Sequence, residues 1–187
     1  MKTTSMKLIV VIIFAMMNLH LFAQSEQKTN LPIDETSKLI TYAKVQEVSG
    51  AGKDSLYNKA LSWCMNYFVN PADVVREKDQ EQGKIVCKAR FKVMNPIDKK
   101  GVATDGGLVQ YTLKLMFKDG RYKYELTEFN WKQSSYYPCE KWMEKTNQYY
   151  KPEFDYYLTQ LDEKAKEIIA ALTKAMISKG PVKKDDW

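Results

Sequence analysis

The sequence predicts a two-layer α+β domain in which both helices lie on one face of a mostly antiparallel five-stranded sheet. Four successive segments alternate apolar and polar residues, which indicates half-buried strands. One segment before them and one after them repeat apolar residues every three or four positions, which indicates amphipathic helices. The strands are joined by short turns, so we expect an antiparallel meander with one face buried under the helices.

The N-terminal residues 1–23 have the pattern of a secretory signal peptide. A positively charged start is followed by ten consecutive apolar residues, Leu8–Met17, and the segment ends in the small residue Ala23. Ten apolar residues are too few for a membrane-spanning helix, which needs about 20. We therefore expect cleavage between Ala23 and Gln24, a secreted or periplasmic product, and no membrane span in the mature chain.

The single histidine, His20, lies within this signal peptide. The mature chain then has no imidazole for acid–base catalysis or for binding zinc, and we predict no catalytic residues, no metal site and no cofactor. Cleavage also removes two lysines, which leaves 27 basic and 23 acidic residues and a net charge of +4. That small excess argues against a nucleic-acid partner. Cys64, Cys87 and Cys139 leave disulfide pairing open, since one pair with one thiol and three buried thiols both fit.

The segment 24–38 is polar and is predicted to be a flexible leader. A first strand is expected over Leu39–Val48. A helix follows, capped by Asp54 or Ser55 and running to Phe68, because apolar residues recur along it at helical spacing.

The four alternating strands come next, at Val74–Lys78, Lys84–Met94, Leu108–Lys118 and Arg121–Trp131. Asp119-Gly120 is a strong signal for a two-residue hairpin turn between the last two. That turn pairs Lys118 with Arg121, and the register continues inward from there. It places the following apolar pairs on the core face: Phe117 with Tyr122, Leu115 with Tyr124, and Leu113 with Leu126.

The connector Lys132–Lys151 is expected to hold a short helix after Pro138. A long helix, Pro152–Lys179, completes a single domain over residues 39–180, and 181–187 form a tail. Because this helix is longer than the strands, we expect either that it lies diagonally across the sheet or that its end overhangs the sheet. An overhang would expose Leu172 and Met176, and a homodimer through this helix could cover them.

The chain resembles a family of uncharacterised secreted bacterial proteins described as a domain of unknown function with a TATA-binding-protein-like fold. The resemblance covers about Leu39–Lys179. It rests on the element order, on the signal peptide, and on four segments: Ile40–Val45 leading into Lys53–Tyr57, and Tyr111–Phe117 closed by Lys118–Tyr122. It implies this architecture and brings no active site. DNA binding is not implied, since the DNA-binding saddle is built from two copies of the unit.

Four constellations suggest chemistry but do not complete a motif. Ser49–Lys53 lacks the first glycine and the hydroxyl of a phosphate-binding loop. Ser25–Lys28 has the S-x-x-K spacing but lies in the leader, and Asp98–Asp105 lacks the ligand ladder of a calcium loop. The remaining acids near the sheet and long helix show no spacing that selects a catalytic pair: Glu125, Glu128, Asp155 and Asp162.

Aromatic residues are dense between Phe129 and Tyr157, where ten of 29 residues are Phe, Trp or Tyr. Exposed rings could stack on sugars. We favour packing, with Trp142, Phe154 and Tyr157 sealing the seam between the long helix and the sheet.

The candidate binding surface is the sheet face that no helix covers. Alternation directs five cations to it, and Met116 and Phe129 are expected among them: Lys88, Arg90, Lys92, Lys114 and Lys123. Such a surface suits an acidic envelope polymer or an acidic protein partner.

Three functions remain open from the sequence. The first is a non-catalytic interaction module that uses this face. The second is a carrier for a small apolar ligand between long helix and sheet, in a void lined by Leu113, Leu115, Tyr122, Leu158 and Leu161. The third is a histidine-free hydrolase that uses carboxylates.

Overall fold

A computed structural model of the chain describes residues 30–178. The predicted signal peptide, the cleavage site after Ala23, the S-x-x-K segment and the tail 181–187 lie outside these residues. Among the described residues, no helix is both long and apolar enough to cross a bilayer.

The sheet contains the five predicted strands and one additional short strand. Its order is β1–β5–β4–β3–β2, every neighbouring pair is antiparallel, and β6 pairs with β5. The sequence analysis missed β6, a three-residue strand in the aromatic connector. The strands are β1 (Tyr42–Glu47), β2 (Val75–Asp79), β3 (Lys84–Met94), β4 (Asp105–Lys118), β5 (Arg121–Lys132) and β6 (Tyr136–Pro138).

The two predicted helices are present as α1 (Lys53–Tyr67) and α3 (Glu153–Ile177). The short helix expected after Pro138 is present as a 3₁₀ helix, Cys139–Met143, and one short helix, α2 (Pro71–Val74), is added. The buried residues of α1 and α3 belong to one hydrophobic cluster with the inward residues of β3, β4 and β5. The predicted α+β class, with both helices on one sheet face, is confirmed.

The β4–β5 hairpin has the predicted register. Lys118 lies opposite Arg121 and Leu113 opposite Leu126. Gly120 takes φ +74°, a left-handed conformation that glycine adopts without steric cost. Asp119-Gly120 therefore sets which residues of both strands face the core, as a two-residue turn does in general.

A β-bulge interrupts this register further along β5. Thr112 pairs with Thr127 but Gln110 pairs with Asn130, so Tyr111 lies opposite two residues instead of one. Glu128 sits in the bulge with φ +56°. The inserted residue reverses the alternation, and Phe129 is 1% exposed on the helix side of the sheet, where it contacts Tyr111. The prediction that Phe129 lies on the open face is wrong for this reason.

Two boundary predictions also change. Residues 31–38 of the predicted leader belong to the domain, because Leu31 is buried and Ile33 forms a β-bridge with Ile40. The C-terminal end of α3 does not overhang, since Leu172 and Met176 are both 0% exposed in the single chain. Their burial removes the reason for which a homodimer through this helix was expected.

Candidate functional site

The open sheet face carries all five predicted cations. Along β3, Lys88, Arg90 and Lys92 are exposed while the residues between them are buried. Lys114 and Lys123 are half-buried on the same face of β4 and β5. Alternation alone therefore located these side chains correctly.

Three of the five cations are already paired within the sheet. Lys114 Nζ lies 3.0 Å from Glu125 Oε1 and 3.7 Å from Glu128 Oε1. Lys123 Nζ lies 3.6 Å from the other oxygen of Glu125, and Lys92 Nζ lies 2.9 Å from Asp105 Oδ2. These lysines are neutralised by carboxylates of the same surface.

The bulge residue Glu128 organises this paired region. Thr112 is 3% exposed, and its hydroxyl donates a hydrogen bond of 2.6 Å to Glu128 Oε2. The neighbouring Thr127 is also 3% exposed, and its hydroxyl lies 2.8 Å from that of Thr41. Burial alone would lower the pKa of Lys114, but Glu125 and then Glu128 raise it. The register predicted from the hairpin turn already places Lys114 opposite Glu125. Sequence reasoning missed Glu128, because a bulge at a glutamate has no clear local signature.

Lys88 and Arg90 form the unpaired region. Neither makes an ion pair with any residue between 30 and 178, and the same holds for the exposed Arg76 on β2. All three border a groove of about 600 Å³ at the outer edge of β3. The sequence identified Lys88 and Arg90 but not Arg76, since the groove depends on where β2 begins.

The groove is enclosed by elements that are distant in sequence. The end of α1 and the short α2 form one wall through Phe68, Val69 and Asp73, and α3 forms another through Lys164 and Glu167. A second cavity of about 330 Å³ continues along β3 past Phe91, Lys92 and Gln160 and shares Lys164 and Glu167 with the first.

The α3 wall is charged but internally paired. Lys164 Nζ lies 2.8 Å from Glu167 Oε2, and the Tyr67 hydroxyl donates to Glu167 Oε1 at 3.1 Å. The hydrogen bond from Lys164 lowers the pKa of Glu167. Burial, together with the Glu167 carboxylate, raises the pKa of Tyr67 to about 12. Tyr67 is thus a neutral hydrogen-bond donor at ordinary pH.

Two of the incomplete motifs, Ser49–Lys53 and Asp98–Asp105, lie in segments with structural roles. Asp119 Oδ1 accepts the Lys53 amide at 2.7 Å, so the start of α1 already holds a carboxylate. Asp98 Oδ1 accepts the amides of Lys100 and Val102 and shapes its own loop. No group of three His, Cys, Asp or Glu side chains within residues 30–178 is arranged to hold a metal ion.

The four candidate acids do not form one cluster. Glu125 and Glu128 share Lys114 on the open face. Asp162 lies on α3, where it accepts the Tyr42 hydroxyl and pairs with Lys166, and Asp155 pairs with Lys145. A catalytic pair across these two locations is therefore not formed.

The aromatic connector packs as predicted. Trp142 is 0% exposed and stacks on Phe154, with ring centroids 5.7 Å apart, while Tyr157 approaches the same indole. Trp131 contacts all three rings and donates its indole N–H to the Gly106 carbonyl. These rings seal the seam between α3 and the sheet.

Comparison with known proteins agrees with this geometry. The model of a family described as a domain of unknown function with a TBP-like fold, DUF4468, matches residues 42–132. The chain is thus similar to this family from β1 to β5. The match ends with β5, so α3 and the α3 wall of the groove lie beyond it.

Two crystal structures of bacterial proteins share the fold. A TBP-like protein from Parabacteroides distasonis superposes with a TM-score of 0.61 at 12% identity and covers 80% of this chain and 99% of its own. A DUF4468 family protein from Bacteroides ovatus gives a TM-score of 0.60 at 14% identity and covers 81% of this chain and 92% of its own. At such identities the likeness shows the fold alone. No curated protein matches the chain.

Proposed function

We propose that this domain is a non-catalytic binding module that acts outside the cytoplasm, in the envelope or the extracellular space, on an acidic polymer or an acidic protein. The observation that carries the proposal is the cluster of Arg76, Lys88 and Arg90. These exposed cations have no ion partner among the described residues and border a groove. Unpaired cations at a concave surface attract anions more effectively than cations on a flat face.

The proposed binding site does not include all five cations predicted from the sequence. Lys114 and Lys123 share Glu125, and Lys92 is paired with Asp105. An incoming anion would have to compete with those carboxylates. Binding is therefore expected at Lys88, Arg90 and Arg76, with Lys92 at the margin.

The two other predicted functions receive less support. The five residues expected to line a carrier void all belong to the packed hydrophobic cluster, and none of them borders either described cavity. The hydrolase hypothesis needs two carboxylates facing one bond. Each candidate acid is instead engaged by a lysine or by hydroxyl donors.

The test is retention of the purified protein on isolated cell-envelope material at low and at moderate salt. The variant Lys88→Glu with Arg90→Glu should lose retention, and the native protein should bind less as salt rises, because exposed charges are screened beyond about 8 Å at physiological ionic strength. The matched control is Lys44→Glu with Lys118→Glu, the same charge change at two exposed positions away from the groove. Equal retention of both double variants would contradict the proposal.

A further inference from the structure

The outer edge of β3 lacks a neighbouring strand over half its length. Strand β2 pairs with β3 only from Lys84 to Cys87. Beyond that point β3 continues through Lys88–Met94, and no other strand within residues 30–178 pairs with this side. An open edge presents backbone N–H and C=O groups to any extended chain that approaches.

The direction of these backbone groups follows from Met94. Its N–H donates to Gln160 Oε1 and its C=O accepts from Gln160 Nε2, both at 2.9 Å, so Met94 points its backbone away from β4. Along a strand, the N–H and C=O groups of successive residues point alternately toward one side of the strand and the other. Arg90 and Lys92 therefore point their N–H and C=O groups to the same open side, where no described residue bonds them.

The side chain of Gln160 hydrogen-bonds the backbone groups at one end of this edge. Its side-chain amide gives Met94 one donor and one acceptor, as a residue of an added strand would. The edge is therefore already hydrogen-bonded at Met94, whereas the residues of β3 just before it have no described strand beside them on this side. The open part, Lys88–Lys92, spans about 17 Å at about 3.3 Å per residue.

There is room for a chain beside this edge. The groove of about 600 Å³ borders Lys88, Ala89 and Arg90, and the second cavity of about 330 Å³ borders Phe91 and Lys92. The two cavities lie in sequence along the strand, with the corner of α1 and α2 at one end and Gln160 at the other. A strand added here would lie between β3 and α3.

The side chains on the two faces of the edge define the occupant. On the open face, Lys88 and Arg90 would stand beside alternate residues of the added strand, with Arg76 close by. Carboxylates suit these positions, because opposite charges on neighbouring strands attract. On the helix side of the edge, the added strand would pack on Ala89 and Phe91. These two residues favour small or apolar residues in the added strand. A second copy paired through β3 would instead set cations against cations.

We propose that Lys88–Lys92 accept an extended segment of a partner protein as an additional β-strand, and that this segment alternates acidic with apolar residues. The inference rests on the proposed function and specifies its partner. Main-chain hydrogen bonds to Arg90 and Lys92 hold the segment, and the flanking cations select its charge.

The test uses the full chain labelled with ¹⁵N and a blocked seven-residue peptide that alternates glutamate and valine. Amide exchange of Arg90 and Lys92 should slow by about tenfold or more on binding, as for amides that enter a ladder. The amides of Ala43 and Val45, on the outer edge of β1, should not change. Arg90→Glu should weaken binding by about tenfold, whereas Lys44→Glu should leave it unchanged.

Two further probes separate a strand from a charge effect. A peptide of identical sequence with alternate amides N-methylated keeps its carboxylates but cannot complete the ladder, and it should not bind. Polygalacturonate, an acidic polysaccharide, should not protect the two amides. Equal binding of the N-methylated peptide, or tighter binding of polygalacturonate, would overturn the strand while leaving the acidic-partner function in place. No salt-sensitive binding of any acidic probe would overturn both.

Discussion

The two ends of the open sheet face differ in how their cations are paired, although the same alternation of inward and outward residues produces both. Around Lys114, each lysine meets a carboxylate, and Thr112 is buried beneath Glu128. Around Arg90, the cations meet none among the described residues, and the strand edge is unpaired. The sequence pattern is the same at both ends, so the difference comes from the neighbours. A bulge supplies one acid at the first end. The second end is open because β2 begins only at Val75, opposite Cys87.

This difference separates a stabilising region from a recognition region. Charges that are paired and partly buried contribute to the free energy of unfolding, whereas exposed and unpaired charges contribute almost nothing to it. Substitutions at the Lys114 end should therefore change stability, and substitutions at the Arg90 end should change binding.

The largest expected effect is at Cys87, the last residue of β3 that β2 pairs. Cys87 Sγ lies 3.7 Å from Cys64 Sγ on α1, while Cys139 is buried elsewhere. Oxidation with diamide should join Cys64 to Cys87 and leave Cys139 reduced. Closing the loop between Cys64 and Cys87 should raise the free energy of unfolding by about 3 kcal/mol. The bond should also hold β3 in place at the junction of the two regions.

The reaction should be slow at neutral pH, because contact with Cys87 and then burial raise the pKa of the Cys64 thiol. Mass spectrometry after maleimide labelling would count the free thiols, and urea unfolding would measure the stability. Cys64→Ala is the control that should prevent the bond. A disulfide that contains Cys139 would show that the contact in the core does not determine the pairing.

The next largest effect concerns Glu128. Glu128→Ala should lower the free energy of unfolding by about 1–3 kcal/mol, because the buried Thr112 hydroxyl loses its acceptor. Glu128→Gln keeps an acceptor oxygen and should lose less. Adding Thr112→Val to Glu128→Ala removes the orphaned hydroxyl and should restore part of the loss. If the double variant were as unstable as the sum of the two singles, the hydrogen bond would not be the cause.

A smaller effect is expected at Lys114, whose side chain is 34% exposed. Lys114→Met should lower the free energy of unfolding by about 1 kcal/mol at pH 8. The native pKa of Lys114 is raised, so its contribution is fully present below the unfolded pKa of about 10.4 and is lost as pH rises through the higher native pKa.

Urea unfolding at pH 8 and pH 11 checks this dependence. The native protein and Lys114→Met should differ less at pH 11 than at pH 8. The comparison variant is Arg90→Met, which should change stability by less than about 0.5 kcal/mol at both values. A loss at Arg90 as large as that at Lys114 would remove the distinction between the two ends.

Particular residues show where sequence reasoning succeeded. Lys88, Arg90 and Lys92 alternate with Cys87, Ala89 and Phe91, and a pleated strand must send the two sets to opposite faces. Asp119-Gly120 required no knowledge of the rest of the chain, because a two-residue turn determines its own register. Phe129 shows where the same reasoning failed, since a single inserted residue reverses every side chain after it.

The sequence by itself determined the fold class, the order of the principal elements, the β4–β5 register and the outward direction of the β3 cations. These depend on local periodicity and turn chemistry, which are properties of neighbouring residues. Only the tertiary structure decided that Glu128 joins Glu125 at Lys114 while Arg90 meets no carboxylate among the described residues. It also decided that Leu31, Leu172 and Met176 belong to the core, and that Gln160 closes one end of an open edge. Each of these depends on residues far apart in the chain, and their meeting is set by how the packed elements end and cross.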